Sequence, residues 1–178
     1  MLTKKIKTLL SPSELIDKLM RDPNPIKKAI FNKILGQVIP FNAPHSFTVD
    51  EISDDSITIY LPYKKNNLNH VKGIHACALA TLGEYCSGLL LLYNVGNNYR
   101  LILSQLEAQY FYQGKLDVIG NATVIKSDID NIVNELKSGA ESVYKKMTTV
   151  ITDKQGNKIA EVTANWQIKN WKKVKLKV

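Results

Sequence analysis

Residues 69–93 read Asn69-His-Val-Lys-Gly-Ile-His75-Ala-Cys-Ala-Leu-Ala-Thr-Leu-Gly-Glu84-Tyr-Cys-Ser-Gly-Leu-Leu-Leu-Leu-Tyr93. From Ile74 to Tyr93 the stretch is apolar over a length that makes about five turns of helix. A helix that is apolar nearly all round must be covered on most of its sides, and a sheet curled around it would do so. Thr81, Gly83, Glu84, Ser87 and Gly88 interrupt the run, so a core helix is expected here rather than a membrane span. Between Gly73 and Tyr99 the one formally charged side chain is Glu84. A carboxylate inside a buried helix costs several kcal/mol unless it is paired, hydrogen-bonded or protonated. Its helical neighbours Ala80, Thr81, Ser87 and Gly88, with Cys77 and Leu91, make a face of mostly small residues. Leu79, Leu82, Cys86 and Leu89 form the opposite face. Glu84 is therefore expected beside a cleft, where a carboxylate with a perturbed pKa suits catalysis. The plainer alternative is a core carboxylate held by Thr81, Tyr85 or a distant lysine.

The polar segment Asn69 to Ala76 leads into the amino terminus of this helix. The free N–H groups of a helix start, with the helix dipole, favour a developing negative charge. An oxyanion formed from a thioester or ester carbonyl fits there. Asn69 would orient a water or a carbonyl, and His75 would cap the helix or bind a ligand. Taken singly, Asn69, His70 and His75 also read as ordinary loop, surface and helix-end residues.

Working outward, Ser11, Pro12 and Glu14 mark a capped helix with Leu15, Ile16, Leu19 and Met20 on its apolar face. Asp22 to Pro25 breaks it. Asn24 and Pro25 start a second helix, with Ile26, Ala29, Ile30 and Ile34 predicted inward and Gly36 as its stop. Residues 47–52 and 56–61 read as two strands around an Asp54-Asp55 turn. Residues 99–112 form a long strand, Gly114 turns the chain, and 116–125 returns. Residues 127–137 look helical, and 143–152 with 159–169 form a final hairpin around Lys154 to Asn157. This order of elements is α+β.

The chain has 178 residues, 44% of them hydrophobic and 22% charged. That supports one domain, with roughly 70% of the unfolded surface removed from water. Residues 1–39 read as a helical extension, 40–170 as the core and 171–178 as a basic tail. The basic amino terminus lacks the apolar core of a signal peptide. Cys77 and Cys86, nine residues apart on one helix, lie about 13 Å apart along its axis and cannot bridge. Free thiols suit a reducing compartment, so a cytoplasmic location is expected. The net charge is +8, concentrated at Lys4, Lys5 and Lys7 and at Lys169, Lys172, Lys173, Lys175 and Lys177. A polyanion partner would explain it, as would a solvated edge strand guarded by lysines. The closing run has no arginine and a single aromatic, which argues against nucleic acid. Three histidines without HxxxH, and no CxxC, argue against a metal site; no phosphate-binding glycine loop or GxSxG elbow occurs.

Together these residues resemble the hot-dog-fold thioesterase superfamily. Within it they are most similar to the phenylacetate-pathway type of acyl-CoA thioesterase and a related subgroup of unassigned function. The resemblance covers about 40–169, and its core is the string from Asn69 to Glu84. In that family an Asn precedes the helix, a His-Gly pair opens it six residues later, and a carboxylate follows nine residues after the His. Asn69, His75 and Glu84 fall at those spacings. Ala76 stands where the family has glycine, keeping the N–H and adding a methyl. A polar residue that some relatives carry on the following strand is unmatched, because Ser104 is one residue out of phase and would face the other way.

The resemblance implies a curled antiparallel sheet around helix 74–93. It implies a homodimer, or a dimer of dimers, with joined sheets and active sites at the interface. It implies hydrolysis of an acyl-CoA thioester, with coenzyme A as part of the substrate and no separate cofactor. Glu84 would be general base or nucleophile, the N–H groups near His75 and Ala76 the oxyanion hole, and Asn69 the water-positioning group. Gly73, His70, Thr81, Lys72 and Arg100 would bind substrate, with Lys64 and Lys65 also placed to meet phosphates. Three alternatives stand beside it: an acyl-binding or scaffold protein without catalysis, a dehydratase using His70 and Glu84, and a nucleic-acid binder.

Overall fold

The computed structural model describes residues 16, 18–20 and 24–174. Helix α1 (Pro25–Val38) is followed by strands β1 (Thr48–Ile52) and β2 (Ser56–Leu61), then by the central helix α2 (Ala76–Val95). Strands β3 (Tyr99–Tyr110) and β4 (Val118–Thr123), helix α3 (Lys126–Lys137) and strands β5 (Val143–Asp153) and β6 (Lys158–Asn170) complete the chain. The six strands form one antiparallel sheet in the order β1-β2-β4-β5-β6-β3. Strands β2 to β6 all touch α2, so the sheet wraps the apolar helix in the hot-dog arrangement. Alternate residues of β2, β5 and β6 are buried, which puts one face of each strand on the helix. By length and composition α2 could cross a membrane, but here it is the core helix, enclosed by the sheet.

Close contact between helix and sheet requires glycine. A Cβ on Gly83 would lie 2.2 Å from the Val162 Cβ, and one on Gly88 2.8 Å from the Trp166 ring. On the opposite wall, a Cβ on Gly120 of β4 would meet the Cys86 sulfur at 2.9 Å. Two side-chain hydrogen bonds lock this packing. Thr149 Oγ1 donates to the Gly83 carbonyl at 2.9 Å, and Trp166 Nε1 donates to Ser87 Oγ at 3.1 Å.

The two sheet edges are treated differently. On β1, Asn32 of α1 accepts from the Val49 N–H at 2.7 Å and donates to the Val49 carbonyl at 3.1 Å, standing in for a neighbouring strand. On β3, the edge opposite β6 has no strand partner among the described residues, and Leu103, Leu106 and Tyr110 on this strand are exposed. The notch in β3 at Ser104 is a bulge between Leu103 and Gln105, and the Ser104 hydroxyl donates to the Asn165 carbonyl at 2.7 Å.

Several local expectations change. Asn24 does cap α1, accepting from Lys27 N at 2.8 Å. Yet Ile26, Ala29 and Ile30 are exposed, Phe31 is the buried residue, and the helix runs past Gly36 to Val38. One short helix has several apolar rows, and docking on β1 through Asn32 selects the row with Phe31. The strands joined through Gly114 do not pair with each other: β3 pairs with β6, and β4 with β2 and β5. Strand β6 ends at Asn170 and lies inside the sheet, so residues 171–173 form a short 3-10 turn rather than an edge strand. Lys169 pairs with Glu141 at 2.6 Å, and Lys173 Nζ donates to the Gly139 and Ala140 carbonyls, which commits part of the tail's charge to the fold. Ile16 and Met20 are buried, as expected of an apolar helix face; the capping residues Ser11 to Glu14 and Lys175 and Lys177 lie outside the described residues.

Replacing Gly83 with Ala adds about 1 kcal/mol of helix propensity but overpacks against Val162, costing about 1–3 kcal/mol with no flexible atom to yield. Gly83→Ala should therefore lower the midpoint of thermal unfolding. Gly36→Ala, where an added Cβ meets nothing within 4 Å, should raise it.

Candidate functional site

The start of α2 is built by the loop that precedes it. Asn69 Oδ1 accepts from Val71 N at 3.1 Å and Gly73 N at 3.0 Å, closing a tight turn in which Lys72 adopts φ 61°. The Ile74 N–H donates to the Gly114 carbonyl at 2.8 Å, and the His75 N–H to the Asn67 carbonyl at 2.7 Å. His75 Nδ1 then accepts from Cys77 N at 3.0 Å, which makes His75 the N-cap. Ala78 and Leu79 donate to the His75 carbonyl. Among the described residues, the Ala76 N–H is left without a partner, on an exposed residue at the positive end of the helix dipole.

This refines the expected oxyanion hole. The His75 N–H is spent on Asn67, so Ala76 supplies the available donor. The Asn69 oxygen is spent on its own turn, so only its amide N–H₂ remains for a ligand. Gly73 is buried because Gln113 lies on it; a Cβ there would sit 2.8 Å from the Gln113 side chain. Tyr110 O–H donates to the Ala76 carbonyl at 3.1 Å, tying the far end of β3 to the helix start.

Two helical turns on, Glu84 is half-buried. Its carboxylate has no hydrogen bond or ion pair among the described residues, and neither oxygen is sealed from solvent. Burial pushes its pKa above the ordinary carboxylate value. The expected small-residue face exists only in part. Cys77 is exposed, and Ala80 and Thr81 are partly so, with Thr81 Oγ1 donating back to the Cys77 carbonyl at 2.8 Å. Ser87 and Leu91, on the same face, are fully buried. This face of α2 is thus exposed or partly exposed from Cys77 to Thr81 and buried at Ser87 and Leu91, with the half-buried Glu84 between.

The basic residues are not gathered in one place. His70 and Lys72 are exposed on the loop before α2, close to its start. Lys65 is exposed, and Lys64 donates to the Ser46 hydroxyl. Arg100 sits at the beginning of β3, stacked 5.4 Å over Trp171, beyond the carboxy-terminal end of α2. Within one chain it is therefore separated from the Ala76 end by the length of the helix, about 30 Å. The sequence reading did not single out Asn67, Tyr110 or Gln113. Their roles come from contacts between distant segments, and nothing in the local pattern around them carries a signal. Among the described residues, no group of three His, Cys, Asp or Glu side chains could hold a metal ion.

Comparison with solved structures places this geometry. A probable thioesterase from Pseudomonas aeruginosa is similar over 85% of this chain and 99% of its own, at 22% identity and a TM-score of 0.73. A thioesterase from Haemophilus influenzae covers 85% and 95%, at 11% identity and TM-score 0.63. A Chlorobaculum tepidum protein of unknown function covers 92% and 99%, at 9% identity and TM-score 0.71. These likenesses establish the shared hot-dog fold. No curated protein matches the chain. The model of one family, described as a domain of unknown function, matches residues 27–168, and on that span the chain belongs to the DUF4442 family.

Proposed function

We propose that the protein hydrolyses acyl-CoA thioesters, with Glu84 as the base. The observation that carries this reading is the half-buried Glu84 carboxylate, unpaired among the described residues, on the helix face that is exposed toward its amino terminus. Ionised, it takes a proton from a water whose oxygen attacks the thioester carbonyl carbon. The carbonyl oxygen becomes the oxyanion and accepts from the Ala76 N–H. The C–S bond then breaks, and the departing sulfur takes the proton from Glu84. Direct attack by the carboxylate, giving an anhydride that water opens, uses the same groups. Coenzyme A enters as part of the substrate. His70, Lys72, Thr81 and the Asn69 amide line its approach, while Gly73, covered by Gln113, does not.

Glu84 lies eight residues beyond Ala76, about 12 Å along the helix axis, a span that only a fully extended row of reacting atoms would bridge. A facing helix start from a second copy is the simpler supplier of the oxyanion donor. The open β3 edge offers the joint: a homodimer formed by antiparallel pairing of β3 with its symmetry mate is isologous and removes the edge. Such pairing runs the start of one β3 beside the end of the other. It brings the partner's Arg100 to the Tyr110 end, near Ala76, where a coenzyme A phosphate would meet it. With exposed Cys77 and buried Cys86 both free, we place the protein in the reducing cytoplasm.

Glu84→Gln should lower the rate of thiol release from acyl-CoA by about 100-fold or more. An unchanged rate would remove Glu84 from the chemistry. Because burial raises the Glu84 pKa, the wild-type rate should fall with decreasing pH through a value above the ordinary 4.5. The same shift penalises the folded state once Glu84 is ionised. Glu84→Gln should therefore be the more stable protein at neutral pH, with the difference vanishing below the unfolded-state pKa, where Glu84 is protonated in the folded and the unfolded state alike. Arg100→Gln should raise KM for acyl-CoA more than it lowers kcat. Leu106→Lys on β3 should shift the dimer to monomer in sedimentation velocity, with loss of turnover.

A further inference from the structure

A hollow lies on the Tyr85 side of α2. The hollow, of about 190 Å³ and half open to solvent, lies between α1, the turn at Pro40–His45 and the segment leading into β1. Lys33, Gly36, Asn42, Ser46, Phe47 and Tyr85 are among the residues that line it. Asn42 and Tyr85 are 7% and 6% exposed, yet neither side chain has a hydrogen-bond partner among the described residues. Their polar atoms are not sealed from solvent, so the cavity is where an amide and a phenol are kept free. Reached by water, the amide and the phenol keep their hydrogen-bonding capacity for whatever enters the hollow. Asn32, also in the lining, is by contrast fully engaged with Lys28 and Val49.

The charge on the lining is cationic, with the Glu84 carboxylate close to the Tyr85 hydroxyl at one end. Lys33 lines it, and Lys64 donates to the Ser46 hydroxyl on its wall. No Asp or Glu is in the lining. Burial, with the nearby Cys86 and Glu84, pushes the Tyr85 phenol well up, so it remains an O–H donor. Apolar contact comes from Phe47, whose ring lies 5.7 Å from that of Tyr85, and from Leu35 and Ala43. A cavity of about 150 Å³ accepts a benzene ring. We infer that this cavity binds a small carboxylic acid with a ring-sized or short-chain apolar body. The carboxylate accepts from the Asn42 amide and the Tyr85 hydroxyl in the field of Lys33 and Lys64, and the body lies against Phe47 and Leu35. Such acids are also what thioester hydrolysis releases, but the inference does not rest on chemistry at Glu84.

Sodium benzoate titrated into the full chain in a calorimeter tests this. Saturable binding with Kd of about 1 mM or tighter is expected, since that needs only an ordinary ligand efficiency for nine heavy atoms. Tyr85→Phe, which keeps the ring and removes the hydroxyl, should weaken binding about tenfold or more. Gly36→Leu, which fills open space beside the wall, should abolish it without loss of thermal stability. Glu84→Gln, which removes the negative charge near Tyr85, should bind benzoate at least as tightly as wild type. Benzyl alcohol, the same body without the charge, should bind at least tenfold more weakly. The inference is overturned by absence of saturable binding in the millimolar range. It is equally overturned by wild-type affinity in both Tyr85→Phe and Gly36→Leu, by equal affinity for benzyl alcohol, or by loss of binding in Glu84→Gln, which would put the acid in the catalytic cleft.

Discussion

Everything in this fold depends on how closely the sheet can approach α2. Gly83 and Gly88 let β6 lie against the helix, and Gly120 does the same for β4. With the backbones this near, Thr149 reaches the Gly83 carbonyl and Trp166 reaches Ser87. Those contacts seal the carboxy-terminal half of the helix face. They stop about two turns short of the amino terminus, and Glu84 stands, half-buried, at that limit. The position of the carboxylate is thus a consequence of where helix–sheet contact ends.

The helix start shows how a polar loop is consumed in building a site. Asn69, Asn67, Gly114 and the His75 ring satisfy the N–H groups of Val71, Gly73, Ile74, His75 and Cys77. Each bond removes a donor from solution and fixes the loop, leaving the Ala76 N–H aimed outward. A donor held rigid by its satisfied neighbours is pre-oriented for a developing oxyanion and needs no reorganisation when charge forms. The methyl of Ala76 adds bulk beside that donor without removing its N–H.

The two edges of the sheet divide the molecule's tasks. Asn32 closes the β1 edge and, in doing so, positions α1 over Phe47 and Tyr85, creating the hollow there. The β3 edge is left long and exposed, with apolar and aromatic side chains along it. A long bare edge invites another strand unless charges or bulges prevent it, and the bulge at Ser104 occupies only one point of twelve residues.

The extent of α2, the strands and α3, and the single carboxylate in the apolar run, were legible in the residues alone. Periodicity, caps and turn residues act over a few positions, and a helix hydrophobic on all sides has to be enclosed. The inward row of α1, the separation of β3 from β4, and the fate of the basic tail were decided by tertiary packing. So were the loss of the His75 N–H to Asn67 and the distance of Arg100 from the helix start. Each depends on which distant segment arrives as a neighbour. Local pattern determines that a face must be buried; only the assembled sheet determines against what, and therefore which polar groups are left free to act.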